Sequence, residues 1–527
     1  MKGVLVFAFI AAVALYLPTI HYGFVQDDRA IIVSNPAAHS IGAGLAAFDD
    51  PYWPRETGAG LYRPVTILSY ALDWTLFGGR PGWLHVVNAL WHGLATVLLV
   101  ALLARWLPPL GATAAGLVFA WHPVHVEAVA SLVGRAELLV AVGILGAVLA
   151  ARRGQWVLAV LCVALAMLSK ENGVIVGVVL LLDRWLCSDA SSPLSRRACP
   201  ERSEGERGTG GEGYPPTFWI ALGVVTLGFL GAWLSIGWVG ENDAAGVFYG
   251  TGMWSRLAIA LPAALRAVML LAWPASLSVD YSPQVIPARV GPSLAGLVGL
   301  GMAVGVPALA WWCRRRAPAI SFTAGIAALS YLPTSNFFFA SGVVLAERNL
   351  YLAVALPAAL IGWGATWLAA RRGMRPAGVA AAILVAVCGW RSFARLPAWQ
   401  DNRTELLTLL SDHPESYRAH ASAAAVLAGL HDTAGARREY RAADSLFSGD
   451  PYLDGAHAIF LIGIGDTTAA VPLIERRAGA RVGERMTLRA QFLLELARRH
   501  SVEAHAIADS AARRFAGEQR WYLPYQQ

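Results

Sequence analysis

Adjacent carboxylates stand at Asp27 and Asp28, just after an apolar stretch that ends at Ile20. Two carboxylates so close repel one another, which raises the pKa of one of them. A carboxylate held beside a low-dielectric medium can act as general base toward a hydroxyl. The plainer reading is a solvated loop acid or a helix cap. Residue type alone does not choose between Asp27 and Asp28 as base. Further on, His122, His125 and Glu127 occur in Trp121-His122-Pro123-Val124-His125-Val126-Glu127, followed by Arg135 and Glu137. Histidines at i and i+3 can share a helical face, and with a carboxylate they could hold a divalent metal. Pro123 disturbs that geometry and no third ligand is fixed. A hydrogen-bonded polar network lining a cavity is therefore favoured, and no metal or other cofactor is predicted.

The cations follow the same grouping. The chain has only two lysines, Lys2 and Lys170, and uses arginine for every other strong base. Lys170, beside Glu171, could bind a phosphate as a compact point charge, or simply form a membrane-edge pair with its neighbour. Arg63, Tyr281 (in Asp280-Tyr281-Ser282), Glu347 and Arg348 complete the set. An arginine suits bidentate recognition of a phosphate oxyanion, and it can equally snorkel at a membrane interface.

Long apolar runs must position these groups. Of the 527 residues, 56% are hydrophobic and 15% charged, against ~25% charged in an average soluble domain. Lipid is the main solvent for residues 1–396, while 397–527 lack any run long enough to span. The net charge of +7 does not indicate nucleic acid, because much of the arginine lies in short loops beside apolar runs: Arg152-Arg153, Arg314 to Arg316, Arg371-Arg372 and Arg375. That is the positive-inside pattern. Spans are predicted at 3–20, 84–104, 111–127, 135–151, 156–169, 172–187, 217–238, 291–313, 319–334, 350–370 and 377–396. The apolar segment 252–273 carries Pro262 and a central Arg266. An arginine there costs ~2.5–3.5 kcal/mol on insertion scales. Laying 252–273 flat at the interface gives about eleven spans, a cytoplasmic N-terminus and every arginine cluster inside. The candidate residues then collect on the outer face. The inner loop 187–216 has the composition of a disordered segment, and the spacing of the five cysteines argues against a disulfide framework.

A 34-residue register runs through the C-terminal part, at Ala436, Ala470 and Ala504 and again at Tyr440, Ile474 and Ala508. That is the tetratricopeptide period, and three repeats are expected at 417–450, 451–484 and 485–518. Such arrays bind peptides or proteins on a concave face. Overall the fold is expected to be all-α: a polytopic membrane helix bundle followed by a tetratricopeptide-like α-solenoid. Carboxylates, cations and histidines gathered beside lipid suit sugar transfer from a polyprenyl phosphate, the carboxylate deprotonating the acceptor and the cations stabilising the departing phosphate.

Eight segments in order resemble the TMTC-type protein O-mannosyltransferases of the GT-C class. They are Phe24-Val25-Gln26-Asp27-Asp28, Tyr62-Arg63-Pro64-Val65-Thr66, His85-Val86-Val87-Asn88-Ala89-Leu90-Trp91-His92, His122 to Glu127, Gly134 to Leu139, Ser169-Lys170-Glu171-Asn172, Leu277 to Ser282 and Glu347 to Leu352. The resemblance implies a GT-C membrane fold, an inverting transfer, a polyprenyl- or dolichyl-phosphate sugar donor and a protein or glycan acceptor. It suggests that Asp27-Asp28 carries the acidic motif of the first outer loop. Lys170 and Arg348 are placed at the donor phosphate on chemical grounds. The arginine-rich, cysteine-poor composition suits a bacterial inner membrane, with the repeats periplasmic and an undecaprenyl-type donor. The competing readings are a non-enzymatic scaffold, in which the spans only anchor the repeats, and a lipid or solute transporter.

Overall fold

The computed structural model describes residues 2–54, 60–188, 214–237, 245–286, 291–477 and 484–514, and among them every regular element is a helix. Among the described residues, eight helices are long and apolar enough to cross a membrane. Seven coincide with expected spans: Lys2–His21, Pro81–Leu103, Leu132–Ala151, Pro216–Gly237, Leu294–Cys313, Leu352–Arg372 and Met374–Trp399. The eighth is Met253–Ala272, the segment that the charge rule lays flat. Arg266 on this helix turns its guanidinium back to the carbonyl of Ser276, at 2.8 Å, and over the ring of Tyr281.

The other four expected spans are also helical but shorter than the ~20 residues of a full crossing. They are Pro109–Trp121, Trp156–Ser169, Val176–Ser188 with the 3₁₀ turn Glu171–Ile175, and Pro318–Tyr331 with Leu332–Thr334. One of them breaks for a visible reason. A residue before proline is pushed out of the helical region. His122, before Pro123, is extended (φ −70°, ψ 127°), and a new short helix, His125–Ala130, begins beyond it. The expected continuous span 111–127 is corrected accordingly.

Without water to drive helices together, close packing of small residues does much of the work inside a bilayer. A Cβ added at Gly143 would meet the Ala166 nitrogen and the Cys162 carbonyl at 2.7 Å, so Arg135–Ala151 and Trp156–Ser169 touch backbone to backbone. Gly111 and Gly362 form a similar crossing between Pro109–Trp121 and Ala355–Arg372. Leu132–Ala151 is the central helix, 94% buried along its apolar window, and Pro216–Gly237 is peripheral at 17%.

After Asn402–Asp412 come three helix pairs: Tyr417–Gly429 with Thr433–Leu446, Pro451–Gly463 with Thr467–Glu475, and Glu484–Ala497 with Ser501–Arg514. Their second helices start at Thr433, Thr467 and Ser501, at the 34-residue interval of Ala436, Ala470 and Ala504. Those three alanines are fully buried between the paired helices. Asp432 and Asp466 cap the first two of these second helices through the backbone N–H groups of Gly435 and Ala469. Cys187 is disulfide-bonded, while Cys162, Cys313 and Cys388 are free. Most of the loop expected to be disordered, 189–213, lies outside the described residues.

Candidate functional site

Asp27 and Asp28 differ completely in their surroundings. Asp28 is fully buried, and its two carboxylate oxygens accept hydrogen bonds from the backbone N–H groups of Val25 and Val133, each at 2.9 Å. Burial, partly offset by these donors, pushes its carboxyl up to about 7. It ties the loop after the first helix to the turn that opens the central helix. Asp27 is half-buried and accepts no hydrogen bond from another described residue. Its field is felt by Arg348, Tyr52 and Glu405.

Around Asp27 the candidate cations and carboxylates form three pairs, each set by a helix end. Pro64 at the first helical position starts Pro64–Phe77 and leaves Arg63 at its cap. There Arg63 donates in a fork to Glu171 (2.9 and 3.0 Å) and stacks over the Tyr52 ring. Glu171 also accepts from the Tyr62 backbone N–H at 3.0 Å. Lys170 follows the last residue of Trp156–Ser169, where a cation suits the carbonyl end of a helix. Glu137 lies in the first turn of Arg135–Ala151, where an anion suits the N–H end. Lys170 pairs with Glu137 and donates to Asn349 Oδ1 at 3.0 Å. Arg348 pairs with Glu127, which also accepts from the Arg348 backbone N–H at 2.9 Å. The Arg348 side chain keeps 27% of its surface open. The pairs form one electrostatic unit, since Lys170 feels both Arg63 and Arg348, and Arg348 feels both Asp27 and Glu137.

Other expected site residues lie apart from this unit. Arg135 is fully buried. It donates to Asn88 Oδ1 (2.7 Å) and the Leu84 carbonyl (3.0 Å), pairs with Asp73, and covers the Tyr70 ring. All its visible work is to lock helices together, so it is better read as a packing residue than a substrate ligand. His122 Nε2 lies 3.2 Å from the Leu271 carbonyl and His125 Nε2 lies 2.9 Å from the Tyr351 carbonyl. Each ring is held by a different backbone segment, and among the described residues no group of three or more His, Cys, Asp or Glu could hold a metal.

With this geometry in place, sequence comparison supplies relatives. The chain is 38% identical to the protein O-mannosyl-transferase Tmtc1 of Drosophila melanogaster over 198 residues, 35% of this chain and 22% of the relative. It is 28% identical to the protein O-mannosyl-transferase TMTC4 of Mus musculus over 488 residues, 79% of this chain and 63% of the relative. The chain resembles the TMTC protein O-mannosyl-transferases. It spans about a fifth of the length of the Drosophila Tmtc1 relative and under two thirds of mouse TMTC4. No family model matches. Among solved structures, it is similar to the Archaeoglobus fulgidus oligosaccharyltransferase tethered with an acceptor peptide (TM-score 0.38, 14% identity, 76% of this chain and 55% of that one). It is also similar to ArnT from Cupriavidus metallidurans bound to undecaprenyl phosphate (0.35, 15%, 79% and 81%).

Within this TMTC-like chain, Glu347 and Tyr281 form a separate buried contact. Glu347 Oε1 accepts from the Ser278 N–H (2.7 Å) and the Tyr281 hydroxyl (2.8 Å), and burial pushes the Glu347 carboxyl up to about 8. At neutral pH it is therefore largely the neutral acid. The folded value lies above the unfolded one of about 4.3. The stability it contributes is then full below that pH and lost as pH rises through 8. Glu347→Gln should match the wild-type melting temperature near pH 4 and flatten its fall between about pH 4.3 and pH 8, so that the variant melts higher than wild type at pH 7. Glu347→Ala, leaving the buried Tyr281 hydroxyl without its acceptor, should cost ~1–3 kcal/mol. Melting curves across pH decide both. Asn349 belongs to the Glu347-Arg348-Asn349 group legible in the sequence, and Asn88 stands inside a quoted motif, whereas nothing local singles out Asp73.

Proposed function

We propose that the protein is a membrane glycosyltransferase that moves a sugar from a polyprenyl-phosphate donor to a hydroxyl acceptor, protein serine or threonine among the candidates. The observation that carries this reading is the contrast at the first outer loop: Asp27 keeps an uncommitted carboxylate beside the Arg348–Glu127 and Lys170–Glu137 pairs, at the ends of apolar helices. Similarity to proteins named O-mannosyl-transferases supports the same class. In this scheme Asp27 takes the acceptor hydroxyl proton, and the oxygen attacks the anomeric carbon. The bond from that carbon to the phosphate oxygen breaks, and the electron pair leaves with the polyprenyl phosphate. Lys170 and Arg348 face the developing charge. One displacement inverts the anomeric centre. The outer face, with the repeat helices on the same side, is the site in this scheme, and the repeats would hold a peptide or protein.

The test is a panel of labelled polyprenyl-phosphate hexoses, mannose first, offered to the detergent-purified protein with and without serine- and threonine-containing peptides. Transfer or release of sugar supports the reading. Absence of both binding and turnover across the panel would remove it in favour of a scaffold.

A further inference from the structure

The C-terminal helices do not hang free of the membrane bundle. The Gly23 N–H donates to the Gln400 carbonyl at 2.9 Å, and the Gln26 N–H donates to Asn402 Oδ1 at 2.7 Å. The Gln26 side-chain amide donates to Glu405 Oε1 at 2.6 Å. A second seam lies beside it. Ser416 Oγ donates to Asp280 at 2.8 Å while capping the first repeat helix through the Ala419 N–H. Gln284 donates to the Leu446 carbonyl at 2.9 Å. Gln26 itself has φ +46°. A side chain in the left-handed region persists only when its surroundings over-determine it, and such residues cluster at functional sites. Here the residue so held directly precedes Asp27. On its other side, Asp28 is fixed by Val25 and Val133. The loop is thus gripped at Gly23, Gln26 and Asp28, and the one carboxylate left ungripped is Asp27.

We propose that the Asn402–Asp412 helix, which precedes the repeats, is a clamp on the first outer loop, with Asn402 and Glu405 as positioning residues that aim Asp27 through Gln26. This rests on the transferase reading above and gives the C-terminal region a role beyond binding a partner. It also places the array where a bound partner would bear on the carboxylate through a single helix. Burial pushes Glu405 up to about 7, so glutamine, neutral and still offering an acceptor oxygen, is a close substitute.

The test uses full-length protein carrying Glu405→Ala, Glu405→Gln or Asn402→Ala, with two readouts. The first is amide hydrogen exchange over residues 23–28, which needs no activity. The second is transfer rate at saturating donor together with the KM for donor. Glu405→Ala should speed exchange in that segment and lower the rate by up to about 10²-fold, the scale for a misplaced catalytic group, with donor KM little changed. Glu405→Gln should restore both. Unchanged exchange in Glu405→Ala and Asn402→Ala overturns the clamp. So does faster exchange with an unaltered rate, since the loop would then be held without serving Asp27. If wild type transfers nothing from any donor, the transferase reading fails, while the exchange result still decides whether the loop is held.

Discussion

Asp27→Asn is expected to lower transfer by ~10²–10⁴-fold, the usual contribution of a positioned general base, with the donor KM and the melting temperature near wild type. The reason lies in what each carboxylate already does. Both oxygens of Asp28 are occupied by backbone donors, so a base at that position would first have to abandon Val25 and Val133. Asp27 carries no such commitment to the described residues, and Arg348 sits within its field. Asp28→Asn should behave differently. An amide has one acceptor oxygen where two N–H donors arrive, so the variant should lose ~1–3 kcal/mol of stability, and its activity should follow its folded fraction. Initial rates and melting curves on the two purified variants separate the cases. A stable Asp28→Asn protein without activity, beside an active Asp27→Asn protein, would reverse the assignment.

Lys170→Met should have the second large effect, and it has two parts. The ammonium neutralises Glu137, and both side chains are buried. Removing one member of a buried pair typically costs ~3–5 kcal/mol, because the other charge stays behind uncompensated. Lys170→Met combined with Glu137→Gln removes that stranded charge and should recover most of the stability. It should not recover donor binding. A charge-assisted hydrogen bond contributes ~1.5–3 kcal/mol, so the KM for donor should rise by roughly 10–100-fold in the double variant. Recovery of both stability and KM would make Lys170 a purely structural residue.

The parts legible from sequence are those governed by local composition. Apolar runs long enough to cross a bilayer announce themselves, and seven of the eight long apolar helices fall where such runs predict. The break at His122 is visible in Pro123, and the helix pairs of the C-terminal part follow the spacing of three alanines. What was not legible depends on distant backbone. Asp27 and Asp28 are indistinguishable until Val133, over a hundred residues away, brings its N–H to one of them. Arg135 reads as a site cation because it neighbours Glu137. Only the arrival of Asp73 and Asn88 on other helices turns it inward. The Gln26 contacts with Asn402 and Glu405 span more than 370 residues, and no periodicity or motif could anticipate them.

The three ion pairs around Asp27 have a kinetic consequence. Arg63, Lys170 and Arg348 each arrive with a carboxylate of their own, in Glu171, Glu137 and Glu127. The pairs therefore sum to no net charge, and Asp27 tips the local balance negative. Such a surface exerts little long-range pull on an anion, so a phosphate would not be drawn in from bulk water by steering. It would have to come by lateral diffusion along the bilayer and trade places with a resident carboxylate at close range. Under the proposed transferase scheme the same exchange would run backward once the sugar had gone: the carboxylates would reclaim their cations, and the spent lipid carrier would return to the membrane instead of being trapped.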